Sequence, residues 1–197
     1  MKKYSNTTEV RQSIVEGINI LADNVAATLG PKGQNVIIQY KGDPPFVTKD
    51  GVTVAKFVNL DDPFQNAAVE ILKQASLQTN IEAGDGTTTA TVLARSIINE
   101  GQKYITSGVS PIELKRGMDK TCDAIVQNLE ENARPIQSLE DIQHIARISS
   151  NNDKMIGDLV ARAVDLAGKD GTGIIEEDRS NKTSLESIAG VKTDSGY

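Results

Sequence analysis

One cysteine, Cys122, one histidine, His144, and no tryptophan stand in the 197 residues of this chain. A lone thiol rules out an internal disulfide and every Cys-x-x-Cys metal or redox site. A lone imidazole with no Cys pair leaves no zinc site, and no Ser-His-Asp or Cys-His arrangement can be defended around it. Aromatic residues make up only 4% of the chain, so a core has to come from Ile, Leu, Val and Ala, which favours helices. Cationic surplus is missing too: 21 Lys and Arg face 27 Asp and Glu, a net charge of −6. Nucleic-acid binders hold phosphates with clustered Lys and Arg, so no nucleic-acid partner is expected. No apolar run approaches the ~18–20 residues needed to span a bilayer. The start, Met1-Lys2-Lys3, has no apolar segment behind it and does not read as a secretory signal. The expectation is a soluble, cytoplasmic chain with no membrane partner.

What is present reads as helices separated by short turns. Val10, Ile14, Ile18, Leu21, Val25 and Leu29 recur at helical spacing, one stripe of an amphipathic helix over residues 10–29. Gly30-Pro31 ends it, Gly as a C-terminal cap and Pro because it cannot continue a helix. Residues 36–40 and 46–48 flank Lys41-Gly42-Asp43-Pro44-Pro45 and read as strand, turn and strand. The piece from Val52 to Val58 fits helix or strand on pattern alone. Asp61-Asp62-Pro63 places acids before a Pro at the first helical position, and Phe64, Ala67, Ala68, Ile71, Leu72 and Ala75 supply the apolar face that follows. Gly84-Asp85-Gly86 breaks the chain before a further helix over residues 87–106.

Ser110-Pro111-Ile112-Glu113 has the form of a capping box. Its helix carries Leu114, Met118, Cys122, Ile125 and Leu129 at near-four spacing, which reads Cys122 as a small core residue rather than a nucleophile. Pro135 interrupts, and Ser138-Leu139-Glu140-Asp141 opens the first of two shorter helices, over residues 139–148 and 153–167, the second capped by Gly168. Residues 174–176 and 185–188 read as two strands. The fold class expected is mainly α with a small β component, with a boundary near Pro135.

Three Gly-containing turns could carry chemistry. Ala83-Gly84-Asp85-Gly86-Thr87-Thr88-Thr89-Ala90 lies immediately before a helix, where free N–H groups and the positive end of the macrodipole favour a phosphate. A bare Asp85 carboxylate would repel that phosphate, and a hard cation such as Mg²⁺, bound by one or two carboxylates plus phosphate oxygens, resolves the conflict. Asp85 and Thr87 as simple helix caps explain the same string. Thr28-Leu29-Gly30-Pro31-Lys32-Gly33 and Thr48-Lys49-Asp50-Gly51 are the other two turns, each equally readable as a plain turn. They point to a site only if they converge in space. Walker A and Rossmann readings fail: no G-x-x-x-x-G-K-[ST] window occurs, and Thr89 stands where G-x-G-x-x-G needs its third Gly. The acids Glu176-Glu177-Asp178 read as a solvated turn.

In order and spacing, these three strings, with Leu114-Lys115-Arg116-Gly117 and Ile148-Ser149-Ser150-Asn151, resemble the chaperonin family from about residue 8 onward. Thr48-Lys49-Asp50-Gly51-Val52-Thr53-Val54-Ala55 is similar to the group I, GroEL-type branch. The resemblance implies an ATP-dependent chaperone that assists folding in a homo-oligomeric ring, with unfolded clients and a co-chaperonin bound through regions outside this stretch. It implies an N-terminal half of an equatorial helical domain over residues 1–132, the first segment of an α/β intermediate domain over 133–188, and the entry to an apical domain over 189–197. The 36–40 and 46–48 strand pair corresponds to the family's equatorial stem-loop.

Roles follow by the same resemblance. Thr28, Leu29, Gly30 and Pro31 would line the nucleotide. Lys49 would lie near a monovalent cation, K⁺, and the γ-phosphate. Asp85 would hold Mg²⁺, Gly86, Thr87, Thr88 and Thr89 would cradle the phosphates, and Asp50 would position the attacking water as the catalytic carboxylate. Family chains continue well beyond this stretch, including a second hydrolytic Asp, and Thr172-Gly173 and Ser195 depart from the pattern. A truncated, non-catalytic subunit that pairs with full-length ones is the alternative. A stand-alone phosphotransferase would need an acceptor site and a base that nothing here supplies.

Overall fold

A computed structural model of the chain describes residues 8–40, 42–168, 171–177, 183–188 and 190. The expectations for the basic start, the polar stretch 178–182, Ser195 and the body of 189–197 lie outside them. The chain divides into two compact units, residues 1–125 and 126–197.

In the first unit, α1 (Thr8–Ala26) is followed by β1 (Val36–Ile38), β2 (Phe46–Thr48), α2 (Gly51–Phe57), α3 (Pro63–Ala83), α4 (Thr87–Thr106) and the start of α5 (Pro111–Asn132). The α1 stripe behaves as its spacing demands from its middle onward, with Ile18, Leu21, Ala22 and Val25 buried. The helix ends at Ala26, short of Leu29, because the Thr28 and Leu29 amides bond three residues back, to Val25 and Ala26 at 3.1 and 3.0 Å. Leu29 therefore leaves the stripe and is exposed.

β1 and β2 pair antiparallel, Val36 opposite Thr48, Ile37 opposite Val47 and Ile38 opposite Phe46. Val36 and Ile38 pack against the core, while Ile37 and Val47 share the outer face, as the two-residue strand period requires. Phe57 closes the end of this ribbon, with Phe46 and Tyr40 edge-on at centroid distances of 5.1 and 6.4 Å.

The ambiguous piece after Thr48 is helix α2, and its cap decides it. The Asp50 carboxylate accepts the Val52 and Thr53 amides at 3.3 and 3.0 Å, satisfying donors that a helix start leaves without partners. Val52, Val54 and Ala55 are buried. At α3 the expected start is observed, with Pro63 at the first position and the Asp62 carboxylate accepting Phe64 and Gln65 amides at 3.0 and 2.9 Å.

The buried face of α3 differs from the expected one: Ala68, Val69, Leu72, Lys73 and Ser76 are inside, and Ile71 is 69% exposed. Two close features accompany this face. The α1 backbone comes so near at Gly17 that a Cβ there would lie 2.4 Å from the Gln65 carbonyl oxygen. The Lys73 ammonium, though sheltered, donates to the Glu70 carboxylate at 2.7 Å and the Lys56 carbonyl at 3.3 Å, so a charged residue occupies a core-facing position without an unpaired charge.

One core results, built from Ile18, Leu21, Ala22 and Val25 of α1, Val54 and Ala55 of α2, and Ala68, Val69 and Leu72 of α3, with Ala94 and Ile98 of α4 packed against it. Asp23 of α1 pairs with Arg95 of α4, and the Asn99 side-chain amide donates to Asn19 at 2.9 Å. On α5, Met118, Ile125 and Leu129 are exposed, and so is Cys122. The core role expected of Cys122 is thus corrected: its stripe is apolar, but nothing among the described residues covers it at that position.

The second unit holds α6 (Leu139–Ser149) and α7 (Lys154–Ala167). Ser138 and Asp141 form a reciprocal capping box, the Asp141 amide donating to the Ser138 hydroxyl at 3.2 Å and the Ser138 amide to the Asp141 carboxylate at 3.0 Å. The Gln137 amide reaches the same carboxylate at 3.1 Å, and these donors hold the Asp141 carboxyl below its ordinary range. Gly157 lets α7 close on α6, since a Cβ there would sit 2.6 Å from the Arg147 Cα. Arg147 grips Asp158 with two guanidinium nitrogens, at 2.7 and 2.6 Å. The expected strands at 174–176 and 185–188 are not formed; both segments are irregular, and Ile175 and Ile188 are exposed. Two short strands without an apolar layer beneath them are marginal in water.

Candidate functional site

The site starts at the turn between α3 and α4. Gly84 and Gly86 are both left-handed, with φ of 70° and 77°, a conformation that costs glycine nothing and side-chain-bearing residues something. Gly84 closes α3 by donating to the Asn80 carbonyl at 3.0 Å. Gly86 then occupies the N-cap of α4, and no side chain caps that helix. The leading amides of Thr87, Thr88 and Thr89 are thereby presented at the positive end of a 20-residue helix. Asp85 sits exposed between the glycines, its carboxylate accepting the Gly86 amide at 2.6 Å.

The three threonines divide in depth. Thr87 is buried, Thr88 half-buried and Thr89 exposed. Behind them Thr91 is fully buried, and its hydroxyl donates to the Thr87 carbonyl at 2.9 Å, bracing the first turn from inside.

The second turn, Thr28 to Gly33, is folded tightly on itself. The Gly33 amide donates to the Gly30 carbonyl at 2.9 Å and the Gln34 amide to the Ala27 carbonyl at 2.7 Å. The Thr28 hydroxyl donates to Val25 at 2.8 Å, and Gly30 takes φ of 73° with open space over its Cα. In the third turn, the Asp50 amide donates to the Thr48 hydroxyl at 3.0 Å, and the Asp50 carboxylate accepts the Thr53 hydroxyl as well as the two amides of α2.

These turns meet at Gly51. A Cβ placed on Gly51 would lie 2.0 Å from Thr88 Oγ1, 3.2 Å from Thr88 Cβ and 3.3 Å from Thr28 Oγ1. One buried glycine of the Lys49-Asp50-Gly51 turn thus touches the threonine of each of the other two. The spatial condition that separated a site from three unrelated turns is met. Leu29, Pro31 and Lys49 are not among the nearest atoms at that contact, and their side chains are exposed.

The donor set fits a nucleotide's phosphates together with one divalent cation. An uncapped helix start supplies N–H donors and hydroxyls for anionic oxygens. Asp85 supplies a single carboxylate beside them, the usual protein share when phosphate completes the shell of Mg²⁺. Among the described residues no group of three or more His, Cys, Asp or Glu could hold a metal by itself. Sequence reasoning placed Gly51 in a turn but missed it as the junction; its only signal was a Gly beside a charged pair directly after a strand.

A profile of the TCP-1/cpn60 chaperonin family matches residues 21–196. This chain belongs to that family. Among solved structures, a group III chaperonin in its open state superposes with a TM-score of 0.67 at 27% identity, over 79% of this chain and 31% of the other. The chaperonin gp146 of the Pseudomonas aeruginosa bacteriophage EL, crystallised in the presence of ATP-BeFx, superposes with a TM-score of 0.65 at 26% identity, over 79% and 27% respectively. This chaperonin chain thus spans less than a third of the solved chains it matches. Its mainly helical fold is that of chaperonin structures. No helix among the described residues is long and apolar enough to cross a membrane.

Proposed function

We propose that the chain is the nucleotide-binding N-terminal portion of an ATP-dependent, group I-type chaperonin, cytoplasmic, that assists protein folding in a homo-oligomeric ring. Residues 1–132 then form half of an equatorial domain, 133–188 the first segment of an intermediate domain and 189–197 the entry to an apical one. Unfolded clients and a co-chaperonin would engage parts of the ring outside this stretch. The observation that carries the reading is the junction at Gly51, which joins the Thr28, Asp50 and Thr88 turns beside an uncapped helix start. The ATP-BeFx present with the phage chaperonin supports the choice of ligand. The Thr48-Lys49-Asp50-Gly51-Val52-Thr53-Val54-Ala55 run supports the group I assignment.

In this reading the Thr87, Thr88 and Thr89 amides take phosphate oxygens, and the Thr88 and Thr89 hydroxyls add donors at the mouth of the turn. Leu29, Gly30 and Pro31 line the nucleotide from the opposite turn. Asp85 would hold Mg²⁺, which would supply neutralisation of phosphate charge, and Lys49 would lie near K⁺. Asp50 is held by three donors from α2, so its carboxylate cannot swing freely. Its remaining lone pairs would be available to orient a water toward the γ-phosphate, the positioning on which phosphoryl transfer depends.

Calorimetric titration of the chain with ADP, with and without Mg²⁺, tests the reading. Wild type should bind, and Asp85→Ala should lose about tenfold or more in Mg²⁺-dependent affinity, as expected when a charged ligand contact is removed. Affinity that is independent of both Mg²⁺ and Asp85 would refute the assignment.

A further inference from the structure

Gly51 has a role that neither its neighbours' chemistry nor the family match assigns. Its buried Cα stands where Thr88 Oγ1 would be 2.0 Å from any Cβ. The Thr88 side chain therefore fills the space a side chain at 51 would need. A β-branched residue is stiff about χ1, so Thr88 cannot clear that space by a small adjustment; it must change rotamer, or α2 must move away from α4. Either response reaches the site. A new Thr88 rotamer redirects a hydroxyl of the phosphate turn. A displaced α2 carries the Asp50 carboxylate with it, since Asp50 is tied to the Val52 and Thr53 amides at 3.3 and 3.0 Å.

We propose that Gly51 is a positioning residue, whose missing side chain sets the Thr88 hydroxyl and fixes the register between the phosphate turn of α4 and the Asp50 cap of α2. This rests on the nucleotide reading above. The contact is steric and its one severe overlap is with Thr88 Oγ1, the Thr28 Oγ1 at 3.3 Å being a much looser neighbour, so it predicts strong non-additivity between changes at Gly51 and Thr88.

The test is a double-mutant cycle on Mg²⁺-ADP affinity, measured by calorimetry on the chain, with far-ultraviolet circular dichroism and urea unfolding on each variant. Gly51→Ala should weaken binding by about tenfold or more, the size of an overpacking penalty expressed in affinity. Thr88→Ala removes Oγ1 and weakens binding by itself, but adding Gly51→Ala to it should cost several-fold less than it does in wild type, because the atom at 2.0 Å is gone and only the milder contacts at 3.2 and 3.3 Å, to the Cβ at 88 and Thr28 Oγ1, remain. A structural defect unrelated to Thr88 would leave the Gly51→Ala cost unchanged in both backgrounds, and that additive result overturns the proposal. If Gly51→Ala alone does not fold, the double variant should recover wild-type helical signal; failure of both overturns it as well. Absence of Mg²⁺-ADP binding by wild type overturns the nucleotide reading itself, and this inference falls with it.

Discussion

Replacing Gly17 by Ala tests whether close backbone contact between α1 and α3, rather than hydrophobic pattern, sets how the first unit packs. The new Cβ would lie 2.4 Å from the Gln65 carbonyl oxygen and 2.9 Å from its carbon and Cα. Ordinary contact begins at 3.4 Å, so the helices must separate locally by about 1 Å. The obstacle is main chain within α3, which cannot rotate aside as a side-chain tip could. Separation also loosens the seam where Ile18, Leu21, Ala22 and Val25 meet Ala68, Val69 and Leu72, and interiors lose dispersion contacts steeply over gaps of this size. Overpacking of this kind costs about 1–3 kcal/mol, while removing a mid-helix glycine returns up to ~1 kcal/mol of helix propensity. With a backbone obstacle the upper part of the penalty range applies, leaving a net loss of about 1–2 kcal/mol. Urea unfolding followed by circular dichroism at 222 nm reads it as a lower midpoint with an unchanged slope. Gly117→Ala on α5, where a Cβ meets nothing within 4 Å, is the matched control and should stabilise by up to ~1 kcal/mol. A Gly17→Ala protein as stable as wild type would refute the claim that this contact is tight.

Two further predictions concern α6 and α5. The Asp141 carboxyl is held low by the Gln137 amide, the Ser138 hydroxyl and the Ser138 amide; a lowered folded pKa contributes stability above the unfolded carboxylate value of about 3.9 and loses it as pH falls through the lower folded one. An NMR carboxyl titration should place the Asp141 midpoint below that value, and Ser138→Ala should move it up; an unmoved midpoint would show that the capping box does not act on this group. Cys122 is exposed on α5, so native protein should react with one equivalent of Ellman's reagent, forming a mixed disulfide and expelling one nitrothiobenzoate, as fast as urea-unfolded protein does at the same pH. Strong native protection would show that α5 is covered there.

Much of this fold was readable because several local signals agreed. Asp62 and Pro63 mark the start of α3 by two independent means, a side-chain acceptor and a fixed φ, and both are found in place. Ser138 and Asp141 do the same for α6. The threonine-rich helix over 87–106 has the expected bounds, since Gly-Asp-Gly leaves the chain only one place to begin again. Where one signal stood alone, tertiary contact decided. Val52 to Val58 had no preferred period, and the helix forms because Asp50 caps it while Val52, Val54 and Ala55 find a core. Residues 174–176 and 185–188 had suitable apolar runs but no layer to cover, and they do not pair.

The site was legible as three fragments and illegible as one object, for a physical reason. Hydrophobic period and capping chemistry act within about a turn of chain, whereas the junction joins residues 28, 51 and 88 by excluded volume. Glycine leaves no local trace of which backbone or side chain will approach it. Gly51 follows a charged pair and reads, by itself, as a residue of an ordinary turn. Its meaning comes from Thr88, whose Oγ1 takes the space a Cβ would need. The same holds for Gly17 against Gln65 and Gly157 against Arg147. In each case the absent side chain admits a partner ten or more positions away in the chain, a distance over which neither hydrophobic period nor capping chemistry carries information.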